Sequence, residues 1–148
     1  MKEKEELDAI LTAAYKRMHR YTCAEATLQA FLELWDMPIN NASWATGGYM
    51  GAISSGQTTC GLLIGTSVAI GMRVGQGLEK IPENEPNKRD KAISLVNRIY
   101  RKFIKQFGTS QCNKLTNGFK DKDWMKQCDT CLQHVFDNVV LLTAKGKL

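Results

Sequence analysis

Five cysteines, Cys23, Cys60, Cys112, Cys128 and Cys131, are the side chains in this 148-residue chain best suited to chemistry. A thiolate is both a nucleophile and a soft metal ligand, so what matters is which sulfurs can ionise and which can meet. Cys23 and Cys60 each fall in the first turn of a predicted helix, where unpaired amides and the macrodipole favour thiolate. Cys128-Asp129-Thr130-Cys131 is a CxxC. That spacing puts two sulfurs on one metal centre or lets them close a reversible disulfide.

Several related chemistries lack their other parts. A second CxxC at zinc-ribbon spacing is absent, so structural zinc has only partial support. A thioredoxin-type site belongs beside a βαβ pattern, and no strand pattern is present. Covalent c-type haem needs CxxCH, and a serine nucleophile needs an elbow such as GxSxG; neither occurs. His134 follows Cys131 by three residues, on the same helical face, and is a candidate further ligand. His19, beside Arg20 and Tyr21, is a weaker one. Any single cysteine at a helix start is most simply a small buried hydrophobe, but five together weigh against that reading for all of them.

The elements that carry these residues read as helices. Leu7, Ile10, Leu11, Ala14, Met18 and Tyr21 recur at three-and-four spacing and predict a first helix over 3–20. Thr22 is a good N-cap with Glu25 three residues on, as in a capping box. The helix it opens buries Ala24, Leu28, Phe31, Leu32 and Trp35 and ends near 37–38. Residues 39–57 turn to Asn, Ser and Gly and predict a loop with a short helical turn over 41–45. A third helix over 58–76 holds Cys60, Gly61, Gly65, Ala69, Gly71 and Gly75. Each glycine costs about 1 kcal/mol against alanine, so close helix packing or cofactor approach is expected there. Pro82 and Pro86 mark a connection. Ala92, Leu95, Val96, Ile99, Phe103 and Phe107 then predict an amphipathic helix with a basic outer face, closed by Gly108. A short turn carries Cys112 and Leu115, and a last helix, starting near Asp123 or Cys128 and running to Ala144, turns Leu132, Val135, Phe136, Val139 and Leu142 inward.

The expected fold is therefore all-α, a single-domain bundle of about five to six helices spanning 1–148. Hydrophobic residues at 43% and charged residues at 24% are ordinary globular usage. The first six residues are charged and lead into the amphipathic pattern with no apolar signal region, so a reducing, cytoplasmic compartment is expected. The uncharged run over 37–72 is broken by polar and small residues, and its best part, 58–72, falls short of the roughly 20 apolar residues a membrane span needs. A net charge of +5 is modest. The basic face of the fourth long helix lacks any accompanying nucleic-acid motif, so a solvated face is expected and nucleic acid is not. Trp35, Trp44 and Trp124 read as core and interface anchors.

One set of residues resembles a known family. Thr22-Cys23-Ala24-Glu25-Ala26, then Gly47-Gly48-Tyr49-Met50-Gly51, then Gln57-Thr58-Thr59-Cys60-Gly61-Leu62-Leu63-Ile64-Gly65 agree in order, spacing and glycine placement with the C_GCAxxG_C_C redox-active proteins. Cys112 with Leu115 and Gly118, and Cys131 with Val135, complete the pattern. Leu62 stands where the motif has alanine, and Cys128 is additional to the motif's four cysteines. The resemblance implies a helical protein related to an iron–sulfur-bearing domain of certain cytochromes. It implies further that Cys23, Cys60, Cys112 and Cys131 converge on one redox metal centre, an iron–sulfur cluster, with Cys128 and His134 as candidate additional ligands. Gly61 and Gly65 would then give the cofactor or a neighbouring helix close approach. The contrasting expectations are a zinc-binding helical module, and a metal-free protein cycling Cys128 with Cys131, or Cys23 with Cys60, between dithiol and disulfide. The redox partner is unidentified at this level, and a homodimer is plausible from the glycine-faced helix.

Overall fold

The computed structural model describes residues 1–20 and 22–148. Tyr21, the last position of the first predicted stripe, lies outside the described residues. Among the described residues six α-helices follow one another: α1 (Lys4–Arg20), α2 (Cys23–Leu34), α3 (Gly61–Val74), α4 (Pro86–Phe107), α5 (Cys112–Leu115) and α6 (Trp124–Ala144). Short 3-10 turns at Ala42–Thr46, Met50–Ala52, Pro82–Asn84 and Asn117–Phe119 punctuate the connections. Among the described residues there is no strand, only an isolated antiparallel bridge between Thr59 and Gln111. No described helix is long and apolar enough to cross a membrane.

α1 and α2 pack as an antiparallel hairpin, with Leu11, Ala14 and Met18 buried against α2 and Arg17 bonded to Glu33 at 2.8 Å. The Thr22 Oγ1 accepts the Glu25 amide at 3.1 Å, so the cap read from the sequence forms. At its other end α2 stops at Leu34, short of the predicted 37–38. Asp36 takes a left-handed φ of 52°, and the Met37 and Asp36 amides bond back to the Leu32 and Glu33 carbonyls, a Schellman closure built without glycine.

α3 also differs from its predicted span. It begins at Gly61 rather than residue 58, because Thr58 to Cys60 pair with the segment at 110–112. The Cys60 amide donates to the Ser110 carbonyl at 2.7 Å and the Cys112 amide to the Thr58 carbonyl at 3.0 Å. Cys60 is thus the N-cap of α3 and not a first-turn residue. The helix is central only over its first ten residues, where Leu62, Leu63, Thr66, Ala69 and Ile70 are buried; Gly71 and Gly75 are exposed.

α4 lays Leu95, Ile99 and Phe103 on α3 and α6, and Gly108, at φ 78°, ends it as predicted. α6 buries Cys131, Leu132, Val135, Phe136, Val139 and Leu142 along one stripe. Phe31 of α2 stacks on Phe136 at 6.1 Å, joining α2 to α6 through the core.

Candidate functional site

The N-terminal ends of α2, α3, α5 and α6 come together around one cavity of about 400 Å³, and all five cysteines line it. Cys23 is the first residue of α2, Cys60 the N-cap of α3 and Cys112 the first residue of α5; Cys128 and Cys131 lie within the first two and a half turns of α6. The rest of the wall is largely apolar, from Met18, Leu115, Phe119, Trp124 and Met125 among others. Phe119 and Trp124 meet edge to face at 4.9 Å.

Local structure explains how residues so distant in sequence meet. The bridge at Thr59 and Gln111 sets Cys60 and Cys112 on adjacent segments. The Tyr49 hydroxyl lies 2.6 Å from Thr58 Oγ1 and donates to the Thr59 carbonyl at 2.7 Å, tying the loop at 49–52 to the same wall. Gly61 supplies the approach of α3 to α2: a Cβ there would stand 3.1 Å from both the Cys23 Cβ and the Ala24 amide nitrogen. At Gly65 a Cβ would run into the Ala24 carbonyl oxygen and lie 3.0 Å from the Thr27 Cβ. Gly61 lines the cavity, whereas Gly65 faces α2. The hydroxyl of Thr27 donates to the Cys23 carbonyl at 2.6 Å and steadies the first turn that presents Cys23.

The thiols are electrostatically linked. A hydrogen bond with Cys128, helped by a backbone amide and opposed by burial, holds the Cys23 thiol below its ordinary range. The same bond, together with burial, pushes Cys128 up. Burial and the nearby Cys23 raise Cys60 well above the usual range and Cys112 to a lesser degree. Cys131 is pushed up to about 12 by burial and by Cys23 and Cys112. In the metal-free site Cys23 is therefore the thiol that ionises most readily of the five. A cation in the cavity would reverse these shifts, since its charge favours every neighbouring thiolate.

Among the described residues, no three His, Cys, Asp or Glu side chains form a group that could hold a metal ion. A single tetrahedral zinc draws four sulfurs to about 2.3 Å from one point, and these cysteines stand around a space instead. A cluster, with its own body of iron and bridging sulfide, keeps its ligands farther apart and occupies room of the kind this cavity has. The donor set is five thiols, soft ligands of the kind that iron–sulfur clusters, zinc and cuprous copper all take.

His134 stands apart from the cysteines. Its ring packs edge-on against Phe107 at 5.2 Å and Phe103 at 6.3 Å, its Nε2 lies 3.3 Å from Asn138 Nδ2, and it lines a separate cleft with Tyr15, Gln133 and Asp137. His19, the weaker candidate by sequence, lines the cysteine cavity, with its Nε2 3.1 Å from the Asp129 carboxylate. Of the tryptophans, Trp35 is core, Trp124 belongs to the cavity wall, and Trp44 is 80% exposed. Sequence reasoning passed over Phe119. Its only sequence signal was the preceding Asn117-Gly118 turn, and all three residues take positive φ.

A family model described as "Putative redox-active protein (C_GCAxxG_C_C)" matches residues 21–141. No curated protein and no solved structure matches the chain.

Proposed function

This chain belongs to the C_GCAxxG_C_C family of putative redox-active proteins, and we propose that it works in electron transfer or metal handling through an iron–sulfur cluster on Cys23, Cys60, Cys112 and Cys131. The observation that carries this reading is the meeting of five cysteines, from separate segments of the chain, around one largely apolar cavity of about 400 Å³. Soft thiolates select iron–sulfur clusters, zinc or cuprous copper.

When bound, such a cluster supplies one-electron chemistry at a potential set by its surroundings. The chain's own residues do the rest. Four thiols lose their protons on loading, most readily Cys23 and least readily the buried Cys60 and Cys131, so uptake releases protons and weakens as pH falls. The aromatic and methionine wall limits the access of water, most fully at the buried Cys60 and Cys131, and amides at the helix starts are the available hydrogen-bond donors to the sulfurs.

The test is anaerobic purification followed by iron and sulfide analysis and a visible spectrum. A brown protein with matching iron and sulfide is expected, with both lost on replacing Cys60 or Cys131 by alanine. Zinc alone, or no metal after reconstitution with ferrous iron and sulfide, would overturn the cluster. A second reading, a metal-free thiol protein, is favoured by the place of Cys23 at the start of α2, where its thiol is held below its ordinary range. It predicts a colourless protein whose cysteines alone gain and lose electrons.

A further inference from the structure

We infer that residues 49–55 form a strained lid on the cysteine cavity, hinged at Gly48 and latched by Tyr49, which opens to admit what the cysteines bind. The opening stands on the geometry of the segment; the identity of the incoming group, iron and sulfide, rests on the function proposed above.

The segment walls the cavity with Tyr49, Met50, Gly51 and Ala52. Its backbone is held against its own preference: every residue from Gly51 to Gly56 takes positive φ, and Ala52, Ile53, Ser54 and Ser55 among them are not glycine. Left-handed backbone crowds an L side chain against the following carbonyl, most severely for a β-branched residue such as Ile53, at φ 59° and ψ 124°. Such strain persists only where the surroundings over-determine it, and it gathers at ligand clamps and switch regions.

A small set of bonds on one side holds the closed form. The Tyr49 hydroxyl donates to the Thr59 carbonyl at 2.7 Å and the Thr58 hydroxyl to the Ala52 carbonyl at 2.6 Å. The Gly56, Gln57 and Thr58 amides bond back to the Gly51, Ile53 and Ala52 carbonyls. Of residues 49–55 only Ala52 is buried. The two ends differ. Gly56 is pinned, because its carbonyl accepts the Asn113 amide at 3.0 Å and a Cβ on it would stand 3.0 Å from that nitrogen. At Gly48 a Cβ would meet nothing within 4 Å and the backbone is not left-handed, so neither packing nor φ calls for glycine in the closed form; freedom to turn does. Opening about Gly48 gives up the latch and relieves the left-handed residues, and it needs no unfolding of the helices.

The test follows amide hydrogen exchange in the full chain, reduced and metal-free, by mass spectrometry of peptides. The Gly56, Gln57 and Thr58 amides are expected to exchange through a local opening, about tenfold or more faster than the Ala69 and Ile70 amides in the buried part of α3 and with little response to low denaturant. Exchange as slow as in α3, rising steeply with denaturant, means opening only on global unfolding and overturns the lid without the need of any variant. Tyr49→Phe should lower protection at the three amides about fivefold, as expected for one lost hydrogen bond. Ile53→Gly removes strain from the closed form and should raise protection about threefold. The α3 amides report global stability in each variant. Unchanged protection in Tyr49→Phe, or protection that does not rise in Ile53→Gly, overturns the inference. In a second arm the same chains are offered ferrous iron and sulfide. Uptake should be faster in Tyr49→Phe and slower in Ile53→Gly, by the factors seen in exchange. Uptake rates unmoved by either variant refute admission through the lid. If the unaltered chain takes up no iron at all, the cluster falls while the lid stands on its exchange.

Discussion

At the cysteine end of α3, Gly61 and Gly65 lie so close to the first turn of α2 that a methyl group at either position meets backbone, whereas further along the same helix nothing lies within 4 Å of the Cβ that Gly71 lacks. The sequence offers the same residue in both places. At one end glycine is the condition for joining Cys23 to Cys60, and at the other it is a helix-weakening residue on an exposed surface. The two ends differ in chemistry as well: every cysteine lies at the first, and the far end opens on a shallow cleft of Val74, Leu78, Pro82 and Ala92 with lysines and an arginine at its edge.

Substitutions can break this contrast. Gly65→Ala should have the largest effect, because the new Cβ is driven into the Ala24 carbonyl and the two helix backbones must part. A loss of about 3 kcal/mol or more is expected in denaturant unfolding, with loss of iron uptake. Gly61→Ala should cost about 1–3 kcal/mol, since its Cβ would stand 3.1 Å from the Ala24 amide nitrogen and the Cys23 Cβ, a tight contact and not the collision met at Gly65. Gly71→Ala should act with opposite sign and stabilise by about 1 kcal/mol, leaving the thiol reactivity of the cysteines as it was. Destabilisation by Gly71→Ala, or tolerance of Gly65→Ala, would erase the distinction between the ends.

Alkaline pH sharpens it further. Cys60, Cys112, Cys128 and Cys131 all bind their protons more tightly folded than unfolded. Their contribution to the stability of the metal-free chain is fully present below the unfolded thiol pKa of about 8.5 and is lost as pH rises toward the folded values. For Cys131 that upper limit is about 12. Cys23 runs the other way, one thiol against four. Denaturant midpoints measured from neutral pH upward should fall, and the Cys131→Ala chain should fall less steeply.

Much of the scaffold was legible because it is local. The stripes of α1, α4 and α6 follow from three-and-four spacing, and the Thr22 cap and the Gly108 stop are short-range chemistry. Where the reading missed, a contact distant in sequence decided. Asp36 supplies a left-handed closure for which glycine is the usual signal. The start of α3 moved because Thr58 and Cys60 spend their backbone hydrogen bonds on residues 110–112. The histidines follow the same rule. Spacing favoured His134, one turn from Cys131, yet the helix rotation that buries Cys131 leaves His134 against Phe107, while His19 reaches the cavity from α1.

The sequence by itself determined that this chain is helical, where most helices run and which faces they bury, because hydrophobic period and capping are read over a few residues. It also marked the cysteines as the chemistry, and the motif named four of them as a set. Only the tertiary structure decided that all five line one cavity and that Gly61 and Gly65 are spent on bringing α3 against α2. Those outcomes depend on how whole helices rotate and approach, and that is set by close packing across the core rather than by any spacing along the chain.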